Sequence, residues 1–139
     1  MFTVNLGEFL VDVERERGKL IEEHVDIIRK FVFNIFTNTV LATPVDTGNL
    51  RANWFININR VTQEKNYYSE LSESQASSIS LKRLGEFSNY ADIPNFWYIY
   101  NNLDYASYIE GGHSKVKAPQ GMLAISAQIE IEKLKLLER

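Results

Sequence analysis

The sequence predicts an α+β fold: a long N-terminal helix, a small mostly antiparallel sheet and a C-terminal helix. Three observations predict it. Apolar residues recur at helical spacing from Leu6 to Leu41. Two short segments, near 52–60 and 96–102, have the alternation or the aromatic composition of strands. The stretch Met122 to Leu137 is rich in Ala, Leu, Gln, Glu and Lys, which are good helix formers. With 139 residues, 45% of them hydrophobic, the chain reads as one domain, 1–139, able to bury a core of its own.

The first helix rests on Leu6, Leu10, Val13, Leu20, Val25, Ile28, Val32, Ile35 and Phe36, spaced by threes, fours or their sums. Glu14, Arg15, Glu22, Glu23 and Arg29 fill the opposite face, and Gly18 offers a point of division into two helices. Beyond Asp26 the apolar residues (Ile27, Ile28, Phe31, Val32, Phe33, Ile35, Phe36) surround the axis. Such a helix is covered on more than one side, either wholly by its own domain or partly by a neighbour. Pro44 ends it, and Asp46-Thr47-Gly48 makes a tight turn. Asp46 is placed to cap a short helix by accepting from the amide of Gly48 or Asn49, and Arg51 to pair with Asp46 across the turn.

A strand follows, with Ala52, Trp54, Ile56 and Ile58 on one face and Asn53, Asn57 and Asn59 on the other. Phe55 is the exception on the polar face. The Ser/Glu-rich stretch Ser69 to Ser80 has few apolar anchors, so the expectation is an exposed loop near 61–80, an arm that orders on contact. A short helix ending near Gly85 comes next. Phe96 to Asn102 is a second strand, central in the sheet, and Tyr105 to Glu110 one helical turn stopped by Gly111-Gly112. In the last segment length and composition favour a helix, while alternation leaves its first residues open to an extended form. As a helix it has two apolar stripes: Leu123, Ala127, Ile131 and Leu134, and Met122, Ile125, Ile129 and Leu136. The second, through Ile125, Ile129 and Leu136, is the expected subunit interface.

Composition narrows the chemistry. No cysteine is present and His24 and His113 are the only histidines, so neither thiol chemistry nor a metal site is expected. The net charge is −3, divided as about −2 over residues 1–41, +1 over 42–62, −1 over 63–90 and −1 over 91–139, so no segment is a basic patch. Nucleic-acid binding is therefore not expected, and the aromatic run Phe96, Trp97, Tyr98, Tyr100 lacks the interleaved Lys/Arg of a base-stacking platform. The N-terminus lacks the basic and small-residue features of a signal peptide, and no apolar run approaches the roughly 20 residues of a membrane span. The expected setting is a reducing cytoplasm, away from membranes.

Two stretches are distinctive. Ala42-Thr43-Pro44-Val45-Asp46-Thr47-Gly48-Asn49-Leu50-Arg51-Ala52-Asn53-Trp54 resembles the "TPVDTGxLRxxW" signature of phage tail-completion and neck proteins, the family that includes minor tail protein Z of lambdoid phages. Ile99-Tyr100-Asn101-Asn102-Leu103-Asp104-Tyr105-Ala106, then Ile109-Glu110-Gly111-Gly112-His113-Ser114-Lys115 and Ala118-Pro119-Gln120-Gly121-Met122, resembles the family's "YNxxxYAxxLExGxSxxAPxGM" segment. The blocks stand in the family's order, at 42–54 and 99–122. Asn49, the doubled glycine and the Ser/Glu-rich insertion depart from the pattern. The resemblance implies a non-enzymatic virion protein without cofactor, assembled in the host cytoplasm into a ring of six at the head–tail junction. It implies contacts with head-completion or connector proteins and with tail-terminator or tail-tube proteins. A head-closure ring and a tail terminator are the alternatives within that class.

Physically, both blocks read as scaffolding. Pro44, Asp46, Thr47, Gly48, Leu50, Arg51 and Trp54 form a structural turn, and Gly111, Gly112 and Gly121 lend backbone freedom around Tyr105, Glu110, His113, Ser114, Pro119 and Met122, so that this loop can follow a neighbour's contour. The competing enzymatic reading takes Asp46-Thr47-Gly48 as the triplet of a dimeric aspartic protease, in which two aspartates share a proton. The context opposes it: Pro44 closely precedes the triplet, Asn49 follows it, and a helix rather than an apolar strand leads in. Ser114 beside His113 lacks an orienting acid, and Asp104 and Glu110 stand without a second acid cluster, so no catalytic residue is assigned.

Overall fold

The computed structural model describes residues 2–5, 21–92, 94, 96–113 and 121–137. The chain starts with strand β1 (Phe2–Asn5) and then helix α1 (Ile21–Ala42). The first half of the predicted helix, from Leu6 through Gly18 to Leu20, lies outside the described residues. Within α1, Val25, Ile28, Phe31, Val32, Ile35, Phe36 and Val40 are buried, and Phe33 on another face meets Trp97 edge-on at 6.2 Å. The domain's own core thus covers most of the helix, leaving Ile27 39% exposed. Burying each large side chain contributes roughly 1.5–3 kcal/mol, so this one helix accounts for much of the core.

A four-residue helix α2 (Asn49–Ala52) leads into strand β2 (Trp54–Ile58). Ala52 therefore belongs to a helix, and the strand begins two residues later than the alternation suggests. Trp54 and Ile56 face the core, and Phe55 is buried on the opposite face, stacked on Tyr100 at 5.7 Å with the Arg83 guanidinium 4.0 Å over its ring. The exception in the alternation is explained by a sheet covered on both sides at this point.

The Ser/Glu-rich stretch is not the loop that its composition suggests. It becomes helix α3 (Glu73–Leu81), followed by a 3-10 helix over Lys82–Phe87. Ser72 accepts from the Gln75 amide (3.1 Å) and the Gln75 side chain accepts from the Ser72 amide (2.9 Å), a reciprocal cap that starts the helix without apolar residues. Ala76 and Ser80 bury its inner face, and the Ser80 hydroxyl donates to the Arg51 carbonyl at 2.7 Å. Of the loop expected near 61–80, the part up to residue 72 is irregular and the remainder is helical.

Strand β3 (Trp97–Asn101) lies in the middle of a three-stranded antiparallel sheet of order β1-β3-β2. Its register sets Trp54 opposite Asn101, Ile56 opposite Ile99 and Ile58 opposite Trp97. Strand β1 was not anticipated, because four residues are too few to display a period. After β3 come α4 (Asp104–Tyr108) and a π turn over Ile109–His113. The helical path therefore runs through Gly111 and Gly112 instead of stopping at them.

The last element is a single helix, α5 (Leu123–Leu137), with no extended start. It packs along α1 through Leu123, Ala127 and Leu134, with Met122 also fully buried. Glu130, though charged, is 4% exposed, holding the Asn38 amide and the Lys133 ammonium, each at 3.1 Å. Of the second predicted stripe, Ile125 is half-buried, while Ile129 and Leu136 are 46% and 63% exposed.

Candidate interaction site

The two distinctive blocks meet. Asn101 donates from Nδ2 to the Leu50 carbonyl (2.9 Å) across 51 positions of sequence, and its Oδ1 accepts from the Leu103 amide at 3.1 Å. Above this junction opens a cavity of about 450 Å3, lined by Pro44 to Leu50 from the first block and by Leu103, Tyr105 and Ile109 from the second. Its walls are apolar at Leu50, Leu103 and Ile109, and Asp46, exposed, is the carboxylate among its described lining residues.

The first block is held from beneath by Trp54. The fully buried indole donates from Nε1 to the Thr43 hydroxyl (2.8 Å), which donates to the Thr39 carbonyl one helical turn back (2.7 Å). Arg51 does not pair with Asp46. Its Nε and Nη2 donate to the Thr43 carbonyl (2.9 and 2.7 Å), Nη2 also to Leu41 O (3.1 Å), and Nη1 to the Ser77 hydroxyl (3.2 Å). Arg51 thereby satisfies carbonyls left over at the end of α1, a helix with no basic residue in its own last turn.

Nor does Asp46 cap α2. Gly48 precedes that helix in a left-handed conformation (φ 89°), and the Thr47 hydroxyl accepts from Asn49, at 3.1 Å from Nδ2 and 3.4 Å from the backbone amide. Asp46 forms no side-chain hydrogen bond among the described residues and is solvent-facing. Asp46→Ala is therefore expected to change stability by less than about 0.5 kcal/mol in urea denaturation, as surface replacements do. A loss of 2 kcal/mol or more would show a buried role for the carboxylate.

Residues that the sequence reading passed over organise the chain beside the site. Asn49 and Asn53, one turn apart, act as substitutes for a neighbouring strand. Asn49 gives Nδ2 to Tyr68 O (3.0 Å) and takes the Tyr68 amide on Oδ1 (2.6 Å); Asn53 does the same with Asn66 (2.8 and 2.7 Å). Asn102 donates to the carbonyls of Thr62 and Glu64 (2.9 and 2.8 Å), and the Tyr100 hydroxyl accepts from the Thr62 amide at 3.2 Å. The irregular segment 59–72 is thus laced to the motif blocks. The signal was present as asparagines repeated at 49, 53, 101 and 102 within otherwise apolar runs. Asn53→Ala removes both halves of one pairing from a fully buried position, with an expected cost of about 2 kcal/mol. Limited trypsinolysis at the exposed Lys65 should accelerate in that variant, and an unchanged rate would refute the lacing.

Arg83 completes this side. Its Nη1 donates to the carbonyls of Ala52 and Trp54 (both 2.8 Å), and burial pulls the guanidinium below its ordinary pKa against the opposing influence of Tyr68 and Glu64.

In the second block Glu110 has a definite role. Its Oε1 accepts from the amides of Met122 (3.0 Å) and Leu123 (2.8 Å), and Oε2 from Ala124 (3.0 Å). It caps α5 from a distant turn, and its negative charge faces the positive end of the helix. Gly121 makes this possible: its φ is 79°, and a Cβ there would lie 2.5 Å from the Glu110 carbonyl oxygen. Tyr105 is 59% exposed and stacks on the exposed Tyr108 at 5.5 Å. Gly111, Gly112 and His113 form the π turn, whereas Ser114, Lys115 and Pro119 lie outside the described residues.

Among the described residues there is no group of three or more His, Asp or Glu that could hold a metal ion, and no helix is long and apolar enough to cross a membrane. Comparison of the chain with protein-family models, with curated proteins and with solved structures returns no match.

Proposed function

We propose that this chain is a structural subunit of a tailed-phage virion that forms a ring at the neck, completing the tail or sealing the head–tail junction. The observation that carries the reading is the convergence of the two signature-like blocks on one cavity. Their residues are spent on capping helices, closing turns and lacing a loop, the work of a scaffold that presents a rigid surface. Rim contacts between identical subunits close the ring, and separate faces meet head-completion or connector proteins above and tail-terminator or tail-tube proteins below. Exposed Ile129 and Leu136 supply apolar surface for such contacts. The test is electron microscopy of lysates from phage lacking this gene, beside mass spectrometry of purified wild-type particles. The expected result is filled heads and finished tails left unjoined, with the protein present in wild-type particles. Normal joining without the gene, or absence of the protein from particles, would overturn the proposal.

A further inference from the structure

The backbone of residues 62–68 is paired along one side only. The Thr62 amide donates to the Tyr100 hydroxyl (3.2 Å), and the Thr62 carbonyl accepts from the Asn102 side chain (2.9 Å). The Glu64 carbonyl accepts from the same Asn102 nitrogen (2.8 Å). Asn66 exchanges both of its backbone bonds with the Asn53 side chain, and Tyr68 both of its own with Asn49. Every second residue thus turns inward, which is the alternation of an extended chain, and none of residues 62–68 has a positive φ. Gln63, Lys65 and Tyr67 therefore turn their amides and carbonyls the other way. All three residues are exposed, and among the described residues their backbones make no hydrogen bond. The motif asparagines hold one side of a strand-like edge whose other side is open.

We propose that this open edge binds an extended, acidic segment of a different protein, which pairs with Gln63, Lys65 and Tyr67 as an added strand. The inference stands on the pairing pattern and is independent of the neck assignment. Unpaired amides and carbonyls in line are the template that strand addition uses. Here the template is preformed, because Asn49, Asn53 and Asn102 already fix its inner side, so little order is lost on this chain when a partner binds. The side chains select the occupant. Lys65 is the one cation of residues 62–68 and forms no ion pair among the described residues. A second copy is disfavoured: the antiparallel register that pairs all three outward residues with themselves sets two copies of Lys65 directly opposite each other. An Asp or Glu at that place turns the repulsion into attraction. Tyr67, 72% exposed and on the same face as Lys65, offers its ring to a β-branched neighbour across the pair.

The probe is a short peptide with blocked ends, Thr-Val-Glu-Val-Thr, titrated into the full chain and followed by NMR. The amides of Gln63, Lys65 and Tyr67 should shift and exchange more slowly when it binds, while those of Asn66 and Tyr68, already engaged, should change little. With Lys in place of Glu the peptide should bind about fivefold more weakly at low salt. Methylating the peptide's first, third and fifth amide nitrogens removes the donors that face the edge and should abolish binding. Lys65→Glu, at an exposed position where the variant should melt with the wild type, should reverse the preference between the Glu and Lys peptides. Each of four results would overturn the inference: no binding of the Glu peptide at millimolar concentration, equal binding of the methylated peptide, a preference unmoved by Lys65→Glu, or protection of the three amides in the free protein that disappears on dilution. The last would show a second copy on the edge.

Discussion

Glu110→Ala is expected to fray the first turn of α5 and to lower stability by about 3 kcal/mol, from charge-assisted hydrogen bonds worth roughly 1.5–3 kcal/mol each that act as one unit. The carboxylate holds three successive amides, those of Met122, Leu123 and Ala124. Alanine would leave the Met122 and Leu123 amides without an acceptor beside side chains that are fully buried. Water can reach Ala124 but not the two residues before it without opening the packing of α5 on α1. Glu110→Gln keeps one acceptor oxygen and loses the charge at the positive helix end, so its cost should be intermediate, about 1–2 kcal/mol. Urea denaturation measures both, and amide exchange at Met122–Ala124 should rise far more than exchange in α1. Equal stability of Glu110→Ala and wild type would mean that the cap is dispensable.

The second large effect is expected at Gly48. Alanine there must adopt the left-handed conformation that glycine now holds at φ 89°, and its Cβ would stand 2.6 Å from the Leu71 Cβ and 3.4 Å from that of Ala76. Strain of roughly 1–3 kcal/mol for the backbone and a similar amount for the overlap make a loss of about 3–4 kcal/mol. Leu71 cannot retreat freely, because its amide donates to the Thr47 carbonyl at 2.9 Å. Gly48→Ala combined with Leu71→Gly removes the overlap with the Leu71 Cβ and keeps the strain, so Gly48→Ala should cost less in the Leu71→Gly background than in the wild type. If Gly48→Ala is as stable as wild type by thermal denaturation, the turn does not require glycine and the close approach of Leu71 is not what holds it.

Taken by itself, the sequence determined the α+β class, the central helix up to its end before Pro44, the two longer strands, and the terminal helix. In each of these the apolar period is long enough to outweigh competing local preferences, as in Val25 through Val40 of α1 or Leu123 through Leu134 of α5. It also singled out the two blocks that prove to share one cavity. Only the tertiary structure decided what individual polar residues do. Arg51 turns to the carbonyls at the end of α1, Asp46 faces solvent, and Asn49 and Asn53 lace a segment whose composition suggested an unattached arm. Glu110 caps a helix that begins 13 positions further along the chain. The physical reason is that apolar burial is non-directional and leaves a period in the sequence, whereas a hydrogen bond depends on which unpaired backbone group the fold brings within about 3 Å. The Ser/Glu-rich stretch shows the same division: the Ser72–Gln75 cap is a local signal, but the burial of Ala76 and Ser80 against the motif exists only once the sheet and α1 have set that surface in place.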